Sequence, residues 1–437
     1  MLNFQSISGL IPNVTGKIYL GYSGGIDSQV LLHVCATQAS LQAKLVAVYV
    51  HHGLLAVADD WGLHCQQQAE IWGVEFIQLR VDARALNGES PEAAARHARY
   101  QALQALLTAN DALLLAQHRE DQMETLLLQL FRGAGVQGMA AMPEICRLGL
   151  GVMARPLLHT AKSAIVSYAE HHALQWVEDP SNQSSDFDRN FLRNQVVPLL
   201  KQRWSGLDKT VARAAVHCAE AAQTLNRLWQ RYLAEACDAD DQSLAMDKLL
   251  QLNAAEQRGV LRAWLLSLGL QAPSQAVLTA VTQQLIAARD DAQPQVFTQG
   301  HYLKKYRRRL FCLAAQRLQI DKQQYTWPHH QSCVLLANGY QLSKIFATSG
   351  ISQRLWLQAT VTIQSRQAGE TLKLAGRAGR HGLKKLYQEA GIPPWERETR
   401  PLIYLNGQLA AVAGLWVAEW ALGDEQSGCY QIIWQPS

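Results

Sequence analysis

The sequence predicts an α/β N-terminal domain on a doubly wound, mostly parallel sheet, then a helical domain and a small α+β domain. Three observations carry that expectation. Over the first ~130 residues, strand-like and helix-like segments alternate at βα spacing. From about 208 to 290 the chain is rich in Ala, Leu and Gln with a 3.6-residue apolar period. From about 352 to 437, short strand-like runs flank a basic helical stretch and an Asn406-Gly407 hairpin signal.

The elements follow in order. Residues 17–22 form a strand, and a helix starts near Asp27. Residues 44–50, K-L-V-A-V-Y-V, form a nearly continuous apolar run, as a strand buried on both faces requires. Residues 59–72 have helical period, and 74–81 alternate as a strand. Residues 91–107 form a helix, with Ser90 as N-cap, Pro91 at its first position and Glu92 in its first turn. Residues 112–116 are a strand and 120–131 a helix, completing four βα units. In such sheets ligands bind at the carboxyl ends of strands, where the loops 23–28, 51–54 and 116–121 lie. Residues 140–200 are mixed in character: 162–172 are amphipathic, 181–186 have loop composition, and Pro198 opens a last helical stretch. Residues 297–313 read as a strand pair around Gly300, and the Gln-rich stretch 318–345 as irregular linker. The domains expected are therefore 1–205, 208–316 and 351–437, with a linker at 317–350.

Composition sets bounds. The chain of 437 residues is long enough for two to four domains, and 48% hydrophobic content supplies their cores. A net charge of +4 permits a polyanionic partner without requiring one. No run of 18 apolar residues suggests a membrane span, and residues 1–14 lack the basic and apolar regions of a signal peptide. The eight cysteines are scattered with no C-x-x-C pair, which argues against zinc, iron–sulfur clusters and a disulfide framework. A cytoplasmic protein with no evident obligate protein partner is expected.

The chemistry concentrates in a few loops. Ser23-Gly24-Gly25-Ile26-Asp27-Ser28 joins a strand to a helix, so backbone N–H groups and the helix dipole together favour an anion there. Gly24 and Gly25 let the backbone approach a phosphate, and Ser23 and Ser28 add hydroxyls. Asp27 beside phosphates makes sense with Mg²⁺ between them. The loop lacks both the G-K-[ST] ending of a Walker A motif and the G-x-G-x-x-G spacing of a dinucleotide site. A second cluster, Ala116 to Thr125, contains His118, with Asp121 and Glu124 three apart on one helix face; a helix dipole alone would also favour acidic residues there. Arg132-Gly133-Ala134-Gly135 ends that helix. Arg96 and Arg99 are also three apart, and His51-His52 would need a third ligand to hold a metal.

The loop at 23–28 resembles the SGGxDS loop of the PP-loop ATP pyrophosphatases, which cleave ATP between its α and β phosphates. SGGIDS at 23–28, HHGL at 51–54, ARHARY at 95–100, AQHREDQMET at 116–125, RGAG at 132–135, RPLL at 155–158, WVEDPSN at 176–182 and RNFLR at 189–193 occur in the order seen in bacterial tRNA(Ile)-lysidine synthetases. Residues 384–397, KKLYQEAGIPPWER, are similar to that family's terminal-domain signature, so the resemblance runs nearly end to end.

The resemblance implies a Rossmann-like PP-loop domain. It also implies ATP-dependent ligation of free L-lysine to C2 of the wobble cytidine in the CAU anticodon of tRNA(Ile). ATP adenylates the cytosine O2 and releases pyrophosphate; the lysine amine then displaces AMP. On this reading Ser23, Gly24, Gly25, Ile26, Asp27, Ser28 and Arg132 bind ATP. Asp27 and Asp121 are candidates for Mg²⁺ or for the lysine ammonium, Arg96 and Arg99 for pyrophosphate charge, His118 for the adenylated base or a proton, and Asp121 or Glu124 for the amine proton. Some relatives carry His-His where this chain has Gln117-His118, so no role rests on the first of the pair. Lys304, Lys305, Arg307, Arg308, Arg309, Arg377, Arg380, His381, Lys384, Lys385 and Arg397 suit tRNA phosphates; Tyr387 and Trp395 read as core residues or as base-stacking ones. The rivals are another PP-loop enzyme such as a tRNA thiolase, and a non-catalytic RNA-binding protein. Thiolation calls for paired cysteines, which are missing; a non-catalytic relative would lose Asp27 or the 116–125 motif, and both are intact.

Overall fold

A computed structural model describes residues 9–11, 14–53, 58–82, 84, 91–185, 187–289, 292–423 and 428–436. The expected N-cap Ser90, Leu54 of the 51–54 motif and Asp186 lie outside the described residues, as do the side chains of Pro91 and Glu92. The chain divides into two compact units, 1–225 and 226–437.

The first unit holds β1 (Ile18–Gly21), α1 (Ile26–Ala36), β2 (Leu45–His51), α2 (Ala58–Ile71), β3 (Glu75–Arg80), α3 (Pro91–Ala105), β4 (Ala112–Leu114) and α4 (Arg119–Phe131). After these come β5 (Ile145–Leu148), β6 (Gly151–Ala154) and α5 (Lys162–His171). A continuous helical run then covers Asp188–Phe191, a π-helical Leu192–Val196 and Val197–Arg203. The long helix α6 (Leu207–Ala236) crosses into the second unit.

The sheet order is β3-β2-β1-β4-β6-β5, parallel except for β5. Side-chain alternation divides its core into two layers. Leu20, Ala47, Tyr49 and Leu114 pack with Leu31 of α1, Cys65 of α2 and Ile165 of α5. Tyr19, Val46, Val48, Val50 and Leu113 pack on the other face with Leu103 of α3. All seven residues of β2 are buried, as its unbroken apolar run requires. The doubly wound, mostly parallel sheet expected from βα spacing is thus present.

The β5–β6 hairpin is an addition, hidden within the mixed 140–200 stretch. It depends on tertiary fit: a Cβ at Gly151 would lie 2.8 Å from Asp111 O and 3.0 Å from Thr108 O. The strand order reverses between β1 and β4, so the loops after these neighbours flank one crevice.

In the second unit, α7 (Ala254–Ser267) and α8 (Gln275–Ala280) pack on an antiparallel sheet. Its strands are β7 (Leu244–Ala245), β8 (Gln295–Thr298), β9 (His301–Tyr306) and β10 (Arg309–Ala314), in the order β7-β10-β9-β8. Trp264, Leu261, Leu303 and Leu310 form this core. The expected strand pair around Gly300 is β8–β9, and β10 adds a second hairpin.

The stretch 317–350, expected as linker, contains β11 (Tyr325–Thr326), β12 (Cys333–Leu335) and β13 (Tyr340–Ala347). β13 pairs antiparallel along its full length with the last strand, Cys429–Pro436. Gln and Ser on the half-exposed face concealed the alternation, and the partner strand is remote in sequence. The Asn406-Gly407 turn has φ of 50° and 80°, the left-handed pair of a two-residue hairpin. Two short helices carry most of the signature motif: α9 (Leu383–Glu389) and α10 (Pro394–Thr399).

Candidate active site

The first loop leaves β1 at Tyr22 and enters α1 through Gly25, which caps the helix without a side chain. Gly24 adopts φ +78°, a left-handed conformation, and a Cβ there would sit 2.9 Å from both Cys65 Sγ and Val177 Cγ2. Its carbonyl accepts from the Val177 N–H at 2.9 Å, so the 176–182 motif fastens the loop. Ser23 and Ser28 hydroxyls lie 3.2 Å apart, and Ser28 also donates to Gly25 O at 2.9 Å. The result is a tight turn whose uncapped first-turn N–H groups suit phosphate oxygens.

The second loop leaves β4 and caps α4 with His118. The His118 N–H donates to Asp121 Oδ2 at 3.0 Å, part of a capping box. The His118 ring is buried among carboxylates: Nε2 lies 3.7 Å from Asp27 Oδ1 and 3.3 Å from Asp121 Oδ2, and Nδ1 3.3 Å from Glu120 Oε2. Arg155, from the 155–158 motif, supports the loop by donating to Gln117 Oε1 at 3.1 Å. The loops after β1 and β4 thus meet, as the strand order dictates.

Three basic residues that carry no role in the sequence reading complete the cluster. Lys162 Nζ donates to Asp27 Oδ1 at 2.5 Å. Arg189 donates to Glu124 Oε2 at 2.8 Å and Asp121 Oδ1 at 3.0 Å. Arg193 donates to both Glu124 oxygens at 2.7 Å and to Asp121 Oδ1 at 3.0 Å. A signal existed for the arginines: they stand four apart in the RNFLR motif, hence on one helix face. Lys162 also broke a local rule, as a cation at the positive end of α5.

Electrostatics follows the geometry. Burial opposes ionisation of Glu120, but His118 and the Lys162 N–H outweigh it and bring its carboxyl to about 2. Burial likewise opposes Asp121; His118, Arg189 and Arg193 prevail and hold it below the usual range. Burial pushes the Arg99 guanidinium down, and nearby Arg96 and Arg189 add to this against Tyr100; its guanidinium lies 5.8 Å from the Tyr100 ring centroid. Burial first, then Arg99 and His51, lowers His52 below the usual histidine range.

Some expected residues lie elsewhere. Arg132 caps the far end of α4, about 20 Å along the helix from His118, and faces Asp188 at 4.0 Å. It does not join the phosphate loop. Arg96 is exposed, with its guanidinium 5.0 Å from the Tyr100 ring. Both Asp121 oxygens are engaged, one by His118 and one by two guanidiniums, so Asp121 does not fit a Mg²⁺ ligand. Both Glu124 oxygens accept from guanidinium N–H groups, leaving neither open to an amine proton. Asp27, with Oδ1 on Lys162 and partial exposure, fits as a single carboxylate contribution to Mg²⁺ held mainly by phosphates. No group of three His, Cys, Asp or Glu among the described residues could hold a metal by itself.

The basic residues of the second unit also divide. Lys305 is buried and donates to Ala288 O at 2.7 Å. Arg397 donates to Ile392 O at 2.6 Å and Tyr306 Oη at 3.1 Å. These two serve the fold, a correction to their assignment as tRNA contacts. Arg307 donates to Gln388 O, Arg308 pairs with Asp247, and Arg309 pairs with Asp238. Lys304 lies 5.8 Å from the Trp395 ring centroid, and Trp395 itself packs edge-on against Phe311. Tyr387 is fully buried, so its core reading holds. Arg377, Arg380, Lys384 and Lys385 are exposed.

A Gly-rich anion cradle at the switch point of a doubly wound sheet, edged by a carboxylate, defines an ATP-using α/β domain. A PP-loop domain model matches residues 4–200, a TilS substrate binding domain residues 244–311 and a TilS substrate C-terminal domain residues 361–434. The chain is 38% identical over 432 residues to the tRNA(Ile)-lysidine synthase of Methylococcus capsulatus, covering 98% of each chain. It is 39% identical over 441 residues to that of Serratia proteamaculans, covering 99% of this chain and 100% of the other. Among solved structures, the U34-tRNA thiolase NcsA of Methanococcus maripaludis aligns at 16% identity and TM-score 0.42, covering 50% of this chain and 78% of that one. The chain belongs to the tRNA(Ile)-lysidine synthase family, the family its ordered motifs resemble. No helix among the described residues is long and apolar enough to cross a membrane.

Proposed function

We propose that this chain ligates free L-lysine to C2 of the wobble cytidine in the CAU anticodon of tRNA(Ile), giving lysidine, AMP and pyrophosphate in the cytoplasm. The observation that carries the reading is the convergence of the phosphate cradle with His118 and Asp121 across Asp27.

Adenylyl transfer asks little covalent chemistry of the protein and depends on placement and charge. The N–H groups entering α1 hold the ATP phosphates, and Lys162 moves from Asp27 to offset their charge. Mg²⁺, when bound, neutralises phosphate charge, with Asp27 as its protein ligand. The cytosine O2 attacks the α-phosphorus and the bond to pyrophosphate breaks. The neutral lysine amine then attacks C2, the C2–O bond breaks, and AMP leaves. His118, adjacent to Asp27 and Asp121, takes the amine proton. Asp121 and Glu124, locked by Arg189 and Arg193, form the rigid wall against which the base and the amine are placed. Exposed Arg377, Arg380, Lys384 and Lys385 contact tRNA phosphates, which position the substrate without reading its sequence.

Pyrophosphate release, assayed with individual tRNAs and each amino acid in turn, tests this. Release with the CAU isoleucine tRNA, completed only by lysine, is expected. Turnover with sulfide would transfer the protein to the thiolases; no turnover with any tRNA would leave the non-catalytic reading.

A further inference from the structure

The catalytic turn at 118–121 is tied to the start of α6 by ion pairs that the chemistry of lysidine formation does not use. Arg119 opens α4, and its Nε donates to Asp208 Oδ2 at 2.6 Å. The two side chains are 17% and 8% exposed. Asp208 lies in the first turn of α6. An acidic residue there is favoured by the helix dipole alone, but that role needs neither burial nor a guanidinium at hydrogen-bond distance.

The contacts continue inward. Asp208 Oδ1 lies 4.0 Å from Lys201 Nζ, which lies 3.7 Å from Glu120 Oε1. Glu120 Oε2 accepts from the Lys162 N–H at 3.0 Å and lies 3.3 Å from His118 Nδ1. Lys162 Nζ then reaches Asp27. One chain of charged contacts therefore runs from α6 to the phosphate loop. In sequence, α6 leads from the PP-loop match, ending at 200, toward the substrate-binding match, beginning at 244.

We propose that Asp208 is a positioning residue for the reaction centre. By fixing Arg119 and Lys201, it sets the first turn of α4, and with it His118 and Glu120, in register with the helix that leads to the tRNA-binding part. This rests on the lysidine-forming reading of the site. Misplacement of about an ångström at such a centre costs on the order of 100-fold in rate.

The test compares Asp208→Asn, Asp208→Glu, Lys201→Met and the Asp208→Asn/Lys201→Met double variant in the full chain. One readout is single-turnover transfer of the ATP α-phosphate to CAU isoleucine tRNA, with tRNA Kd and ATP KM measured separately. Asp208→Asn should slow transfer by at least about tenfold while Kd and KM stay within about threefold. Asp208→Glu should recover most of the rate. The double variant should fall short of the product of the single losses, because both residues lie on one path. The second readout needs no activity: hydrogen exchange of backbone amides 118–124 should rise at least about tenfold in Asp208→Asn. Wild-type transfer rates with unchanged exchange overturn the proposal. So do a Glu variant as slow as Asn, or fully multiplicative losses. Should Asp208→Asn fail to fold, the Glu and Lys201 variants decide. If the wild type itself transfers nothing, the lysidine reading falls, and exchange still judges the positioning role.

Discussion

Glu124 is a carboxylate whose side chain is 3% exposed, and among the described residues two arginines are all that compensates its charge. Removing Arg193, itself 38% exposed, leaves Arg189 Nε on Glu124 Oε2. Solvent screens much of that pair, so Arg193→Met should cost about 1 kcal/mol of unfolding free energy. Arg189→Met, with Arg193 left bidentate, should cost a similar amount. Removing both strands a buried charge, and the cost should reach about 3–5 kcal/mol. The double variant should therefore exceed the sum of the singles by about 1–3 kcal/mol, the signature of a shared partner. Adding Glu124→Gln to the double variant should restore at least half the loss, since the more deeply buried of the two stranded carboxylates is then neutral and Asp121 keeps the His118 N–H. None of these variants should recover tRNA adenylation. Urea unfolding followed by tryptophan fluorescence measures the stabilities, and pyrophosphate release the activity. Additive losses below about 1 kcal/mol in the double variant would refute the reasoning, because Glu124 would then be solvated rather than clasped.

Other consequences are equally open to measurement. Glu120 titrates near 2 in the fold against an ordinary 4.5, so its contribution is complete above pH 4.5 and drains away as pH falls toward 2. That contribution is about 3 kcal/mol, and a Glu120→Gln variant should show a flatter urea midpoint between pH 5 and 3 than the wild type. Gly24→Ala places a methyl against Cys65 and Val177 at a left-handed φ, so ATP affinity should fall at least about tenfold in calorimetry; unchanged affinity would remove the loop from the nucleotide site. Asp27→Ala should abolish adenylation while tRNA binding stays within a few-fold, and the reverse pattern would contradict its role. Replacing exposed Lys384 and Lys385 by Gln should weaken tRNA binding and reduce the slope of log K against log salt by about one for each phosphate no longer neutralised; an unaltered slope would return both to a solvated face.

What the sequence disclosed depended on range. β2 was legible because an unbroken apolar run has one sensible place in an α/β sheet. The Asn406-Gly407 turn was legible because its φ angles are a property of two residues. The first and second loops were legible as motifs, and their meeting followed from strand order. The remaining site was not local. Lys162 meets Asp27 across 135 residues, and Arg189 meets Glu124 across 65. The β5–β6 hairpin depends on β4, and β13 on the final strand. Charge alone also misled: Lys305 and Arg397 sit in basic motifs, yet both donate inward to backbone carbonyls. Arg132 was adjacent to the motif in sequence but at the wrong end of a helix.

The most direct test labels the ATP α-phosphate and omits lysine. Purified protein with ATP, Mg²⁺ and CAU isoleucine tRNA should place the label on the tRNA, and lysine added afterwards should release it as AMP while lysine enters the RNA in equal amount. Label that never reaches the tRNA, or AMP that forms without it, would contradict a cradle that presents the α-phosphorus of ATP to an RNA base.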